Sequence, residues 1–403
     1  MNNERIVFHI DVNNAFLSWT AVKLLSEGSK IDIRKIPSVI GGDESKRHGV
    51  VLAKSPVAKK LGIKTGETLY SARKKCKNLK VYPCYREFYK EKSKELFIYL
   101  SKLSPDIEIF SIDECFIEMT NTNYLYSDYL SLGYKIKDEI YKKFGYTVNI
   151  GIANNKLCAK MASDFEKPNK VHTLYNEEIK SKMWPLEIGK LFMIGGKSAD
   201  KLKSLGINTI GDLAGADLNV LIKYFKNQAQ VMIDHANGID NSKVVTEYSA
   251  NKCISVSETF ERDISDKKVL KKILFAQVKK VSFFLRRQNM YASTVAITFK
   301  NYDFKTYTRQ VKLDTPTDST TDIFDKIVLL FDKVWDGNKL RNIGVRLANF
   351  TTVRNEQLDF FANSTIEKNN GIDKVIDSIN SKYGEDAVVL AALNGDDSLI
   401  NQR

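Results

Sequence analysis

No apolar run in this chain of 403 residues approaches the ~18 residues that a membrane-spanning helix needs. No secretory apolar core precedes Asp11, so neither a spanning nor an exported protein is expected. The five cysteines (Cys76, Cys84, Cys115, Cys158 and Cys253) are odd in number and contain no C-x-x-C pair. A disulfide framework and a zinc site are therefore not expected, and reduced structural thiols in a cytoplasmic protein are. Cys115 follows two acids, but a small buried side chain accounts for it better than a nucleophile does. No basic amphipathic helix of the membrane-surface kind stands out.

What the chain does have is uneven charge. The net is +13, yet the last 53 residues hold 5 Lys/Arg against 9 Asp/Glu, so the preceding 350 carry +17. A basic body with an acidic tail fits nucleic-acid binding by the body. The length allows two to four domains.

The densest chemistry lies at residues 107–119, IEIFSIDECFIEM. Two short apolar runs flank Ser111-Ile112-Asp113-Glu114, which predicts a hairpin with two adjacent acids at its bend. Neighbours in a straight strand point to opposite faces, so a turn there is what would let Asp113 and Glu114 converge on one cation. A second apolar run, residues 6–10, ends on Asp11. If the two strands are neighbours, three carboxylates meet, a hard-oxygen set suited to Mg²⁺. Taken singly, each acid is also an ordinary surface turn residue.

The blocks FHIDVNNAFLSW, SIDECF and GIANNKLCAKMASDFEKPN, in that order and spacing, resemble the Y-family DNA polymerases, the translesion enzymes, over roughly the first 350 residues. AKSPVAKKLGIKTGE and the C-terminal segment resemble the UmuC-like Gram-positive members more than DNA polymerase IV. The resemblance implies an α+β right-hand polymerase: a ferredoxin-like palm (1–29 and 84–176), small fingers (30–83), a helix-hairpin-helix thumb (177–237) and a βαββαβ little finger (253–350). A polar linker is expected at 238–252 and a tail at 351–403. These elements leave no room for a proofreading exonuclease. Asp11, Asp113 and Glu114 become the catalytic ligands of two Mg²⁺ ions, with the Val12 carbonyl completing one sphere.

Further roles follow from the same likeness. Asn13 and Asn14 offer caps for a helix starting near Ala15; Asn14 and Ala15 are expected beside the nucleotide, with Phe16 as the steric gate against a ribose 2′-OH. On spacing alone Phe16 is equally a core residue. Where polymerase IV-like members place a Tyr and an Arg on the triphosphate, this chain has Pro56 and Lys59, so a contact is missing and a point charge replaces a fork. Lys167 of the K-P-N turn is expected at the β/γ-phosphates; Lys156 and Lys160 read as a solvated helix face. Gly195, Gly196 and Lys197 are the phosphate-binding turn of the thumb, although Met193 stands where the motif has its first glycine. Lys300, Lys305, Arg309 and Lys312 are expected as DNA-backbone contacts. Gln357, Leu358, Phe360 and Phe361 resemble the peptide that docks on the bacterial sliding clamp.

The expected partners are primer-template DNA, deoxynucleoside triphosphates and the clamp, for a monomer in the cytoplasm at the nucleoid. Two rivals remain: a nucleotide cyclase on the same palm fold, and a clamp-tethered DNA-binding factor with a dead site.

Overall fold

The computed structural model describes residues 5–43, 49–122, 125–126, 128–246, 252–352, 363–384 and 387–388, which form two compact units. Among them no helix is long and apolar enough to cross a membrane.

The first unit opens with β1 (Val7–Val12) and α1 (Ala15–Ser26). An excursion follows through β2 (Ser38–Gly41), β3 (Val51–Lys54), α2 (Pro56–Lys60), α3 (Leu69–Lys75) and β4 (Lys80–Tyr82). The chain returns with α4 (Arg86–Leu100), β5 (Ile107–Ile109), β6 (Glu114–Glu118), α5 (Tyr129–Phe144), β7 (Val148–Ala153), α6 (Lys156–Ser163) and β8 (Val171–Leu174). The larger sheet has the order β5-β6-β1-β7-β8, with only β7 and β8 parallel. β1 lies at its centre, which explains why nearly all of VFHIDV is buried.

Alternation along β1 divides the two faces. Phe8, Ile10 and Val12 join Trp19 of α1, Leu96 of α4 and Ile136 of α5 in one apolar core. His9 and Asp11 point the other way, under α6. That helix lies unusually close to the sheet because Gly151 of β7 is its floor: a Cβ there would stand 1.9 Å from the Ala159 carbonyl oxygen. Asn155 caps the start of α6 through the Cys158 N–H. Asn149 finishes it, its amide donating to the Ser163 and Glu166 carbonyls while its oxygen accepts from Asn13.

β3-β2-β4 form a separate small sheet over a core of Val39, Val51, Ala58, Ile63, Leu69 and Leu79. Ser55 caps α2 and Pro56 occupies its first turn, where the missing N–H costs nothing. Beyond β8, α7 (Gly196–Ser204), α8 (Ile210–Ala214), α9 (Leu218–Phe225) and α10 (Gln228–Ala236) pack Leu202, Ile210, Leu213, Leu221 and Met232 together with Leu157 and Met161 of α6.

Part of the expected linker is bound. Residues 238–246 are strapped along the first unit: Asn155 Nδ2 donates to the Gly238 carbonyl, Asp240 accepts from the Leu157 N–H, Arg5 reaches the Ser242 carbonyl and Glu108 accepts from the Val245 N–H. Polarity suggested a loose connector, but these polar groups are the ones that bind the helix and strand ends beneath.

The second unit reads β9 (Cys253–Ile264), α11 (Lys267–Arg287), β10 (Tyr291–Asn301), β11 (Thr306–Thr317), α12 (Thr320–Val334) and β12 (Leu340–Thr351). Its antiparallel sheet has the order β11-β10-β12-β9. Leu270, Leu274, Val278, Val281 and Leu285, spaced as a helical stripe, are all fully buried. A last helix, α13 (Asn363–Tyr383), is held to the same unit by Arg286, which pairs with Asp373 and Asp377 at 3.2 and 2.6 Å.

Candidate active site

β1 and β6 are neighbours, and Asp11 is the register partner of Glu114. The Val12 N–H donates to the Asp113 carbonyl at 3.0 Å, tying the bend to the end of β1. The three acids thus stand side by side, and the expected hairpin is present. They do not converge as the turn argument anticipated. Glu114 is the first residue of β6 and shares the α6 side with Asp11, whereas Asp113 precedes the strand and accepts from Ser111 Oγ at 2.6 Å. Among the described residues no set of three metal-ligating side chains is closed around one point.

Lysines and a histidine stand among the acids instead. Lys160 Nζ lies 2.7 Å from Glu114 Oε2 and 3.5 Å from Asp11 Oδ2. Lys167 Nζ lies 2.6 Å from Asp11 Oδ2 and 2.7 Å from Asp164 Oδ1. Lys160 is only 9% exposed, so the solvated helix face expected for it is wrong. Lys156 departs likewise, paired with Glu108 at 2.7 Å. The missed cause is Gly151, which brings α6 onto the sheet and turns these lysines toward it.

His9 is fully buried, with Nε2 3.1 Å from Glu114 Oε2 and Nδ1 2.8 Å from Ser163 Oγ. Burial pushes its pKa down, and the charge of Lys160 adds to this against the pull of Glu114 and Asp11. A carboxylate can only accept, so the neutral ring carries its proton on Nε2. Burial alone would raise Glu114, but hydrogen bonds from His9 and Lys160 bring it down to about 2. Asp113 moves the other way: burial raises it, and the nearby charges of Asp11 and Glu114 raise it further. For Lys160 and Lys167 burial opposes the charge, yet the carboxylates prevail and hold both above the ordinary lysine value. The donors are hard carboxylate oxygens, the chemistry that Mg²⁺ prefers. Asp11 Oδ1 and Glu114 Oε1 accept no hydrogen bond among the described residues. The residues present therefore fit a divalent cation.

Beside the acids, Asn14 takes a left-handed φ of 51° and makes no side-chain cap. Its amide donates instead to the Lys54 carbonyl at 2.6 Å, linking α1 to β3. The expected cap is thus replaced by a bridge between the two sheets. Ala15 is buried. Phe16 is half-buried and stacks on Tyr89, centroids 4.8 Å apart, so it packs against the core while keeping one part accessible. Lys59 is exposed on α2. Its charge, after burial, holds the half-buried Lys54 below the ordinary lysine value.

Further along, Gly195 and Gly196 open α7 with nothing within 4 Å of a Cβ added to either, and Lys197 beside them is exposed. Met193 adopts φ 73°: the backbone of the turn keeps the left-handed residue that a glycine would supply more easily. In the second unit, Lys300 and Lys312 share the open sheet face, opposite Thr306 and Thr294. Arg309 pairs with the core residue Ile297 and so lies on the helix-covered side, and Lys305 sits in the preceding turn. The four cations are therefore not one patch. Arg346, paired with Ala296 on the open face, belongs with Lys300 and Lys312 and was not foreseen. Gln357, Leu358, Phe360 and Phe361 lie outside the described residues.

Comparison with solved structures finds the same architecture in a DNA polymerase. A Y-family DNA polymerase chimera superposes with a TM-score of 0.74 at 23% identity, covering 86% of this chain and all of the other. Family models for the impB/mucB/samB family match residues 10–164, its C-terminal domain 251–360 and its HHH motif 176–207. The DNA polymerase IV of Clostridium acetobutylicum is 43% identical over 389 residues, 96% of this chain and 98% of that protein. DNA polymerase IV 2 of Bacillus subtilis is 31% identical over 400 residues, 97% and 95% of the two chains. The chain belongs to the impB/mucB/samB family, and its fold is that of the Y-family DNA polymerases. These relatives carry the polymerase IV name, so they do not support the expected leaning toward the UmuC-like branch.

Proposed function

We propose that this chain is an error-prone translesion DNA polymerase that adds deoxynucleotides to a primer 3′-OH opposite damaged template bases. The observation that carries the reading is the Asp11–Glu114 register, with Asp113 held beside it by the Val12 N–H. Two Mg²⁺ ions, held by Asp11, Asp113, Glu114 and the Val12 carbonyl, would supply the charge that activates the 3′-OH and stabilises the leaving pyrophosphate. Lys167, and Lys59 from α2, balance charge on the triphosphate. Phe16 bounds the sugar, and its stacking on Tyr89 keeps the ring from retreating when a 2′-OH presses on it. Gly195, Gly196 and Lys197 receive a DNA phosphate without reading sequence, and Lys300, Lys312 and Arg346 add sequence-independent attraction.

The peptide at 357–361 would tether the enzyme to the sliding clamp and so raise its local concentration at the primer end. The chain would act as a monomer at the nucleoid. The test is primer extension across a damaged base, with and without clamp. Extension past the lesion in Mg²⁺, increased at least tenfold by the clamp and lost from that increase when Phe360 and Phe361 are changed to Ala, is expected. No extension on either damaged or undamaged template would defeat the polymerase reading, and a clamp without effect would defeat the tether alone.

A further inference from the structure

The acids of the site are not empty-handed. Lys160 Nζ bridges Asp11 Oδ2 and Glu114 Oε2, the carboxylates of two adjacent strands, from a position on α6 that is 9% exposed. Such a position is costly for an ammonium unless it is matched by charge. The match is local. Asp11, Glu114 and Asp164 contact the two lysines, Asp113 lies within electrostatic reach of Asp11 and Glu114, and the imidazole of His9 is neutral, so the four carboxylates and two lysines carry a formal charge equal to that of one divalent anion. A carboxylate cluster without the lysines would bind a divalent ion more strongly and would also drive its own strands apart.

We propose that Lys160 is a resident counter-cation: it holds Asp11 and Glu114 together before metal arrives, and by its charge it lowers the affinity of the free enzyme for divalent ions. Each carboxylate gives the lysine one oxygen and keeps the other, Asp11 Oδ1 and Glu114 Oε1, for the metal side. Asp164, 3.4 Å from Lys160 and in contact with Lys167, gives both ammonium groups another partner when the positive charge of the site increases. Lys160 is a positioning residue, acting through two metal ligands without touching substrate. This inference rests on the reading of Asp11, Asp113 and Glu114 as metal ligands, and its test separates the two.

The experiment measures Mn²⁺ binding to the full chain, without DNA or nucleotide, from the paramagnetic-resonance signal of free Mn²⁺. Lys160→Gln is expected to bind Mn²⁺ about tenfold more tightly than wild type while incorporating nucleotide more slowly. Lys160→Arg, which keeps the charge, is expected to bind as wild type does. Asp164→Asn, at the surface, should bind several-fold more weakly, and it keeps the idea testable if the buried substitution impairs folding. Unchanged or weaker Mn²⁺ binding by a folded Lys160→Gln would reduce the lysine to a brace for α6, and unchanged binding by Asp164→Asn would equally contradict the proposal. Asp113→Ala is the control: it should weaken Mn²⁺ binding at least tenfold, and if it does not, the metal-site reading falls and the counter-cation falls with it.

Discussion

Glu114 illustrates how a residue read correctly as a ligand can stand in unexpected company. Its oxygens were expected to face a cation with Asp113; in the structure one of them accepts from both His9 and Lys160. Each partner comes from a different element, so neither was visible in the hairpin sequence. Histidine 9 also gives the site a pH signature. Above the ordinary histidine value of 6.5 both folded and unfolded states are neutral there. As the pH falls through 6.5 the unfolded chain takes up a proton that the buried ring refuses, so stability declines, by up to about 1.4 kcal/mol per pH unit. Thermal melting between pH 7 and 5.5 should therefore show a falling Tm that is flatter in His9→Gln; equal slopes would refute it. Glu114 acts lower, its contribution being complete above about 4.5 and lost as the pH approaches about 2. Phe16 makes a separate prediction. With its ring supported by Tyr89, Phe16→Ala should lower the preference for deoxy- over ribonucleotides at least tenfold in single-nucleotide incorporation. Unchanged sugar selectivity would return Phe16 to the core and remove it from the site.

At the scale of elements, α6 decides whether the acids have their neighbours. Gly151 sits opposite His9 in the β1–β7 register, and a methyl group there would meet the α6 backbone at 1.9 and 2.5 Å. Gly151→Ala must move the helix, with a loss of at least ~3 kcal/mol measurable by denaturant unfolding; a loss below ~1 kcal/mol would show that α6 is free to shift. Much at this level was legible. The apolar runs ending on acids gave strands and the hairpin between them, and the helix expected to start near Ala15 is α1. What was not legible depends on contacts between distant segments. Nothing in the spacing of Lys156 and Lys160 distinguishes a solvated face from a buried one until Gly151 is known to lie under it. Asn14 likewise had the composition of a cap, but a left-handed backbone and the Lys54 carbonyl drew it away. The polar stretch after residue 238 looked like a connector because its partners, Asn155, Leu157 and Glu108, lie far back in the sequence.

For the whole molecule, the division of charge has a structural counterpart. The open face of the second unit carries Lys300, Lys312 and Arg346 among threonines and serines, with no acid on its paired positions. Its other face is apolar and covered by α11 and α12. An exposed sheet face of this composition suits a polyanion approached through its backbone, with affinity falling as salt rises. Of the tail's acids, Asp373 and Asp377 of α13 are committed to Arg286. The first unit holds the acids, and no sequence signal beyond the family likeness tied these two bodies to one activity. The central claim is that the acids joined by the β1–β6 register perform the chemistry. The most direct measurement is single-nucleotide extension of an undamaged primer-template in Mg²⁺ by wild type and by Asp113→Ala at equal folded concentration. Extension by the wild type, reduced at least a thousandfold in the variant, is predicted; extension that survives the loss of Asp113 would contradict the account.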